Sequence, residues 1–416
     1  MRQGSLRHNR DFVLLQIGLL LSTTGNQAAS VAYPLIVLAV THSPALAGVV
    51  GFARVVPAVL FAPLAGVLAD RIDRKLLMIL SDSTRAVAVG SIAAALWLDV
   101  LPYWQIPLVA FVEGAVTTVF NPAATGMLRS IVPVEQLPSA VATQQARSSV
   151  ARLAGPPAGG GLYAINHALP FLADALSYAF STLAVSLLRT PSYVEPNPDR
   201  RRLREDLAEG WRFLWRQPFL RTTTFLYGLT NPLGPGFLLA LVVVSEQQDL
   251  PPFAIGALLA AHSGCLLVGA LISGFVRRHL PTRVILLLEL CAWPIPLLFA
   301  IWPNAYVLAA LILPVALVIP STDSVVVSYR LAVTPQRLVG RVESVRGSIA
   351  LALAPFGSLL AGFLLDVLSA RLAVLIFAAA SVPLAIWGLL SPALLDLPAL
   401  RDHDEAFTDS DPVAPR

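Results

Sequence analysis

A helix that crosses a hydrocarbon layer of ~30 Å needs about 20 consecutive apolar residues, and this chain supplies that length repeatedly. We read such runs at residues 12–37, 46–69, 75–98, 104–128, 139–164, 168–188, 219–245, 252–277, 282–302, 304–330, 340–365 and 369–393. Backbone in lipid has no water to bond, so segments of this kind must close their hydrogen bonds internally as helices. The expected fold class is an all-α membrane protein of twelve transmembrane helices. Composition bears on this in one respect. Only 13% of residues are charged, against about 25% in soluble domains, which is too little to coat a body in water.

Placement of the bases predicts the orientation, because loops left in the cytoplasm are rich in Arg and Lys. Arg71, Arg74, Lys75, Arg129, Arg200, Arg201, Arg202, Arg204, Arg277, Arg278, Arg283 and Arg337 fall between runs on one side. On the other side only Arg371 is basic. The expected location is the inner cell membrane, multi-pass, with both termini cytoplasmic and the first span acting as a signal anchor. The one long polar connection divides the spans six and six. Within it Leu203, Leu207, Trp211 and Leu214 recur at helical spacing, as in an amphipathic helix on a membrane surface. The expected organisation is a six-helix bundle over 1–188, a cytoplasmic linker over 189–218, a second six-helix bundle over 219–393 and a disordered acidic tail over 394–416.

The halves repeat. A shift of 208 residues pairs Gly48 with Gly256, Gly66 with Gly274 and Arg54 with His262. A shift of 199 pairs Arg147 with Arg346 and Pro156 with Pro355. Same-direction repeats of this kind build transporters whose sites lie near the midplane, between the halves.

Two motifs sharpen the reading. The first joins spans two and three as Gly66-Val-Leu-Ala-Asp70-Arg71-Ile-Asp73-Arg74-Lys75. It resembles the signature loop of the major facilitator superfamily, with Asp73 standing where that family has a second glycine. The resemblance implies that Asp70 docks on the start of span eleven, near Gly340 and Arg341, as a latch that breaks in each transport cycle. Gly66, Asp70, Arg71, Arg74 and Lys75 are the gating residues it implies. The second motif, in span five, contains Gly155, Pro156, Gly159 and Gly160 after Ala151. Proline bends a helix and glycine allows close packing. The stretch resembles the family's antiporter motif, which is associated with exporters. Further segments, among them Asp82 to Arg85, 170–178, 203–221 and 335–362, resemble the macrolide-efflux and enterobactin-exporter branch of drug:proton antiporters.

Ionisable groups at membrane depth are costly and default to function. At about 1.5 Å per residue, Arg54, Glu113 and His262 lie about 12–15 Å from the outer ends of their helices. Asn26 and Gln27 lie near the middle of span one. Together they form an expected polar layer near the midplane. Glu113 is the expected proton carrier, since burial raises a carboxyl pKa and a nearby Arg lowers it; the alternative is a fixed Arg54–Glu113 ion pair. His262 titrates in a useful range or else serves helix packing. Arg147 and Arg346, with Arg152 and Arg54, are expected to make the cavity positive and suited to an acidic or phenolate-bearing cargo, or else to form the inner gate. Asp82 pairs locally with Arg85, three residues on, and Asp174 and Asp323 are read as structural.

Lys75 is the only lysine and is followed by Leu76, so no phosphate-binding loop of the Gly-Lys-Ser/Thr type exists. No His-Glu-x-x-His or Gly-x-Ser-x-Gly pattern occurs either. The expectation is therefore a transporter and not an enzyme, with no cofactor and no metal. Its expected partners are a small-molecule substrate, protons and the lipid bilayer, with no nucleic acid, and it is expected to be a monomer. The leading function is proton-coupled export by alternating access. The alternatives are proton-coupled uptake by the same fold, or a non-transporting membrane sensor or lipid-handling protein.

Overall fold

The computed structural model describes residues 6–69, 71–190 and 203–395. Asp70, the first part of the linker and all but the start of the acidic tail lie outside them. Among the described residues every regular element is helical. In the first half these are α1 (Arg10–Thr41), α2 (Pro44–Ala69), α3 (Arg74–Trp97), α4 (Gln105–Ile131), α5 (Leu137–Ile165) and α6 (Leu169–Ser186). The linker contributes α7 (Leu203–Arg216). The second half contains α8 (Pro218–Thr230), α9 (Leu233–Gln247), α10 (Pro252–His279), α11 (Thr282–Ala292), α12 (Ala305–Val333), α13 (Val339–Ala352), α14 (Ala354–Val367), α15 (Ala370–Leu390) and the short α16 (Pro392–Leu395).

Three expected spans are broken rather than continuous. Proline supplies no N–H and strains the turn before it. Pro232 separates α8 from α9, and Asn231 uses its amide to reach the Ala350 carbonyl at 2.5 Å. Pro294 and Pro296 tighten the end of the α11 span into a 3-10 turn over Ile295–Ala300. Leu353, two residues before Pro355, divides α13 from α14.

Among the described residues, ten stretches are long and apolar enough to cross a membrane. Two further helices, α1 and α5, reach 32 and 29 residues but carry polar runs. In α1 the run is Ser22 to Gln27, and in α5 it is Thr143 to Arg152. A helix lowers its cost in lipid by facing such groups to protein or to a cavity, and both of these helices line the cavities described below.

The halves meet near one end of the molecule through two crossings that the repeat relates. Gly48 of α2 lies against Ser358 and Gly362 of α14, and Gly256 of α10 lies against Pro156 and Pro157 of α5. Ser43 adds a hydrogen bond to Asp366 at 2.8 Å. Toward the opposite end, Gly66, Gly274 and Gly340 each face open space. The halves thus meet closely at the end bearing His42 and Asp366.

The loop motif is anchored within its own half. Asp73 caps α3 by accepting from the Leu76 N–H at 3.0 Å. Arg74 donates to the Gly126 carbonyl at 3.3 Å, and Lys75 to the Leu188 carbonyl at 2.8 Å, so the two bases sit by the C-terminal part of α4 and just past the end of α6. Asp73→Ala should lower stability by about 1 kcal/mol, read as a small fall in melting midpoint in detergent. At the start of span eleven, Arg341 pairs with Glu209 of α7, and the backbone there packs against Gly210. The linker helix buries Leu214 in the same seam while Trp211 and Trp215 stay exposed.

Candidate functional site

Four helices of the first half converge because small residues let them. At Gly114 a Cβ would run into the Arg54 backbone, so α2 and α4 approach closely there. At Gly25 it would come within 2.8 Å of an Asp174 carboxylate oxygen, so α1 and α6 do the same. The result is a buried polar cluster around Glu113, whose own exposure is 1%.

Glu113 accepts from four side chains. Oε1 takes the Asn26 amide, the Arg54 guanidinium at 3.1 Å and the Tyr178 hydroxyl at 3.1 Å. Oε2 takes the Tyr33 hydroxyl at 2.9 Å. Asn26 also donates to Tyr178 at 2.8 Å, and the Arg54 guanidinium lies 5.1 Å from the Tyr33 ring centre. Charge-assisted bonds of this kind stabilise a carboxylate in low dielectric.

A second ion pair adjoins the first. Arg85 binds Asp82 at 2.5 Å, and its guanidinium is held between the rings of Phe120, at 4.2 Å, and Tyr178, at 4.6 Å. Tyr178 therefore joins the two pairs. Asp174 completes the cluster. It is fully buried, and Glu113, Arg54 and Arg85 are its charged neighbours. Its Oδ1 lies 3.4 Å from the Ser177 hydroxyl, and its Oδ2 has no hydrogen-bond partner.

Charge counting then matters. Three carboxyl groups (Asp82, Glu113 and Asp174) meet two guanidinium groups (Arg54 and Arg85). Full ionisation would leave one uncompensated buried negative charge, which is far more costly than binding a proton. Glu113 has four donors and Asp82 has a direct ion pair, so Asp174 is the least stabilised as an anion.

Two cavities flank this cluster. The central one, about 350 Å³, lies between the halves and is lined by Gln27, Tyr33 and Arg54 from the first half and by Leu238, Val242, Leu259 and His262 from the second. Pro156 of the span-five motif also lines it. The second cavity, about 260 Å³, lies among α1, α4 and α5, with Arg85 of α3 in its wall, and includes Asn26 and Arg147. Glu113 lines neither, yet its partners line both.

The structure thus brings Asn26, Arg54 and Glu113 into contact and sets Gln27, Arg54 and His262 around one cavity. It separates the other arginines. Arg147 faces the second cavity, Arg346 pairs with Glu343 at 2.7 Å, and Arg152 is exposed on α5 and lines neither cavity. In the span-five motif, Gly155 and Gly159 lie against α1, and Gly160 lies against Pro252 of α10. Tyr33, Tyr178 and Asp174 were not singled out from the sequence as site residues. Asp174 and Tyr178 are four apart in α6, and a buried acid and hydroxyl on one helical face was the available signal.

The family model described as Major Facilitator Superfamily matches residues 15–313. The chain is 26% identical over 410 residues to the multidrug efflux pump Tap of Mycolicibacterium fortuitum, covering 95% of this chain and 97% of that one. With macrolide efflux protein A of Streptococcus pyogenes it shares 29% identity over 147 residues, 35% of this chain and 36% of that one. In fold it is similar to a bacterial homologue of the iron transporter ferroportin in an inward-facing state, with TM-score 0.70 and 17% identity over 91% of this chain and 98% of that one. A bacterial homologue of the lysosomal transporter Spinster, also inward-facing, gives TM-score 0.67 and 15% identity over 94% of this chain and 97% of that one. The chain is therefore a member of the Major Facilitator Superfamily, a multi-pass membrane transporter rather than an enzyme, with drug efflux pumps among its relatives.

Proposed function

We propose that this transporter is a proton-coupled antiporter that exports a small organic molecule across the inner membrane. Cargo occupies the central cavity, and the exchanged proton is held by the Glu113–Asp174 pair. The observation that carries this reading is the buried cluster with one more carboxyl than guanidinium, placed where Arg54 and Tyr33 reach the central cavity. Cargo entering that cavity displaces water around Arg54 and changes how strongly Arg54 is drawn to Glu113. A proton then leaves or joins Asp174 to keep the buried charge balanced. Export is favoured over uptake by the efflux pumps among the relatives and by the Pro156–Gly160 motif that packs on the second half. With the end bearing Arg71 placed on the cytoplasmic side, a placement the arginine distribution supports, both termini are cytoplasmic and the cavity opens inward.

The test is proton movement in liposomes under an imposed cargo gradient. Asp174→Asn, which fixes a neutral side chain in place of the protonated acid, should keep the melting midpoint and abolish substrate-driven proton flux. Unchanged flux in this variant would remove Asp174 from coupling. Absence of flux in the unaltered protein, together with intact substrate movement, would point to a uniporter.

A further inference from the structure

The second cavity holds a charge, on Arg147, that no described acidic residue balances. The Nε and Nη1 atoms of Arg147 are buried without a hydrogen-bond partner, and no acidic side chain acts on this guanidinium. Gln16, 9% exposed, has both amide atoms unpaired, and Arg85 has its Nε unpaired. All three line the cavity, and no carboxylate does.

The repeat explains how this came about. In the second half Arg346 is neutralised by Glu343, three residues earlier on the same helix, at 2.7 Å. Glu343 also binds Arg330 at 2.8 Å. The same shift of 199 residues that pairs Arg346 with Arg147 places Gln144 where Glu343 stands. Gln144 lines the second cavity beside Arg147. One half thus retains the arginine and its counterion, and the other retains the arginine alone.

A guanidinium with two of its three nitrogens shielded from water and no anion beside it is unfavourable, and an anion arriving from outside recovers much of that cost. The remaining wall includes Leu15, Leu19, Phe120 and Leu128, which suits an apolar body more than a hydrated ion. We propose that this cavity is an anion subsite for the cargo, taking a carboxylate attached to an apolar ring or chain. The carboxylate sits on Arg147 and Gln16, and the apolar body sits between α1 and α4. This deepens the export reading by giving the cargo a charge class, and it rests on that reading only for the identity of the occupant.

The test needs no transport. With Cys265 and Cys291 replaced by Ala, a single thiol is introduced as Thr125→Cys, an exposed position at the cavity mouth. Its reaction with anionic and cationic methanethiosulfonates is timed in proteoliposomes, with and without benzoate as probe and with chloride at equal ionic strength. A positive, low-dielectric cleft concentrates anions by about tenfold or more. The ratio of anionic to cationic rates should therefore fall about tenfold when Arg147→Gln is added, and should stay unchanged with Arg346→Gln. Benzoate should slow labelling, and Arg147→Gln should abolish that protection. Removal of an unbalanced buried charge should also raise the melting midpoint, which confirms that the variant is folded. A rate ratio indifferent to Arg147→Gln would overturn the subsite. Protection by chloride equal to that by benzoate would overturn its assignment to an organic carboxylate. The result is independent of coupling, because Asp174→Asn should lose proton flux and keep both effects.

Discussion

Glu113→Ala should abolish coupled transport and lower the unfolding free energy by about 3–5 kcal/mol. Four donors end on this one carboxylate, and 1% exposure leaves no water to replace it. The variant strands the Arg54 charge and leaves two hydroxyls and an amide to find other acceptors, at about 1–3 kcal/mol for each that fails. Arg54→Gln alone should cost less, because Asn26, Tyr33 and Tyr178 still solvate the Glu113 carboxylate. Arg54→Gln combined with Glu113→Gln should be more stable than the sum of the single changes implies, since both charges leave together. Chemical denaturation in mixed micelles of the unaltered protein, Arg54→Gln, Glu113→Gln and the double variant checks the cycle. Strict additivity would mean that the pair carries no coupling energy.

Gly160→Leu should shift the conformational equilibrium by about 5–150-fold toward the state open at the His42 and Asp366 end. A Cβ at this position would already press on the Pro252 backbone and lie 3.0 Å from the Phe253 Cα. Three more carbons cannot be housed while α5 and α10 stay crossed, and overpacking of this kind costs about 1–3 kcal/mol. The strain is relieved where the halves part at that end, so it adds to one state only. Spin labels at Val40→Cys and Val367→Cys, both exposed, should report a longer separation. Gly66→Leu, placed where nothing lies within 4 Å, should not lengthen it. Equal behaviour of the two variants would mean that the α5–α10 crossing is not what holds this end shut.

Much of the fold was legible because lipid leaves a chain few choices. Apolar length located the helices to within a few residues, but it ran straight through the breaks at Pro232, at Pro294 and Pro296, and before Pro355, which only the structure shows. The repeat was legible too, and its Gly48–Gly256 pairing reappears as the two crossings between the halves. The site was legible in part. Depth along separate helices placed Arg54, Glu113 and Asn26 in one layer, because a rise of about 1.5 Å per residue converts position to depth. Rotation about each helix axis was not accessible in that way. A layer holds every residue at one height, and contact depends on which face each helix turns inward. That is why Arg147 and Arg346, symmetric in sequence, end in different surroundings, and why Asp174 looked like a structural acid near a helix end.

From its amino acids alone the chain was committed to lipid, to helices, to a duplicated plan and to polar groups at mid-depth, since each follows from solvation cost and local spacing. Tertiary packing decided which of those polar groups meet. It set Glu113 against four donors, left an oxygen of Asp174 with none, and gave Arg346 an acid while leaving Arg147 without one. Partners 59 to 152 residues apart are chosen by helix rotation and close approach, as at Gly25 and Gly114, and no local rule of spacing encodes that choice.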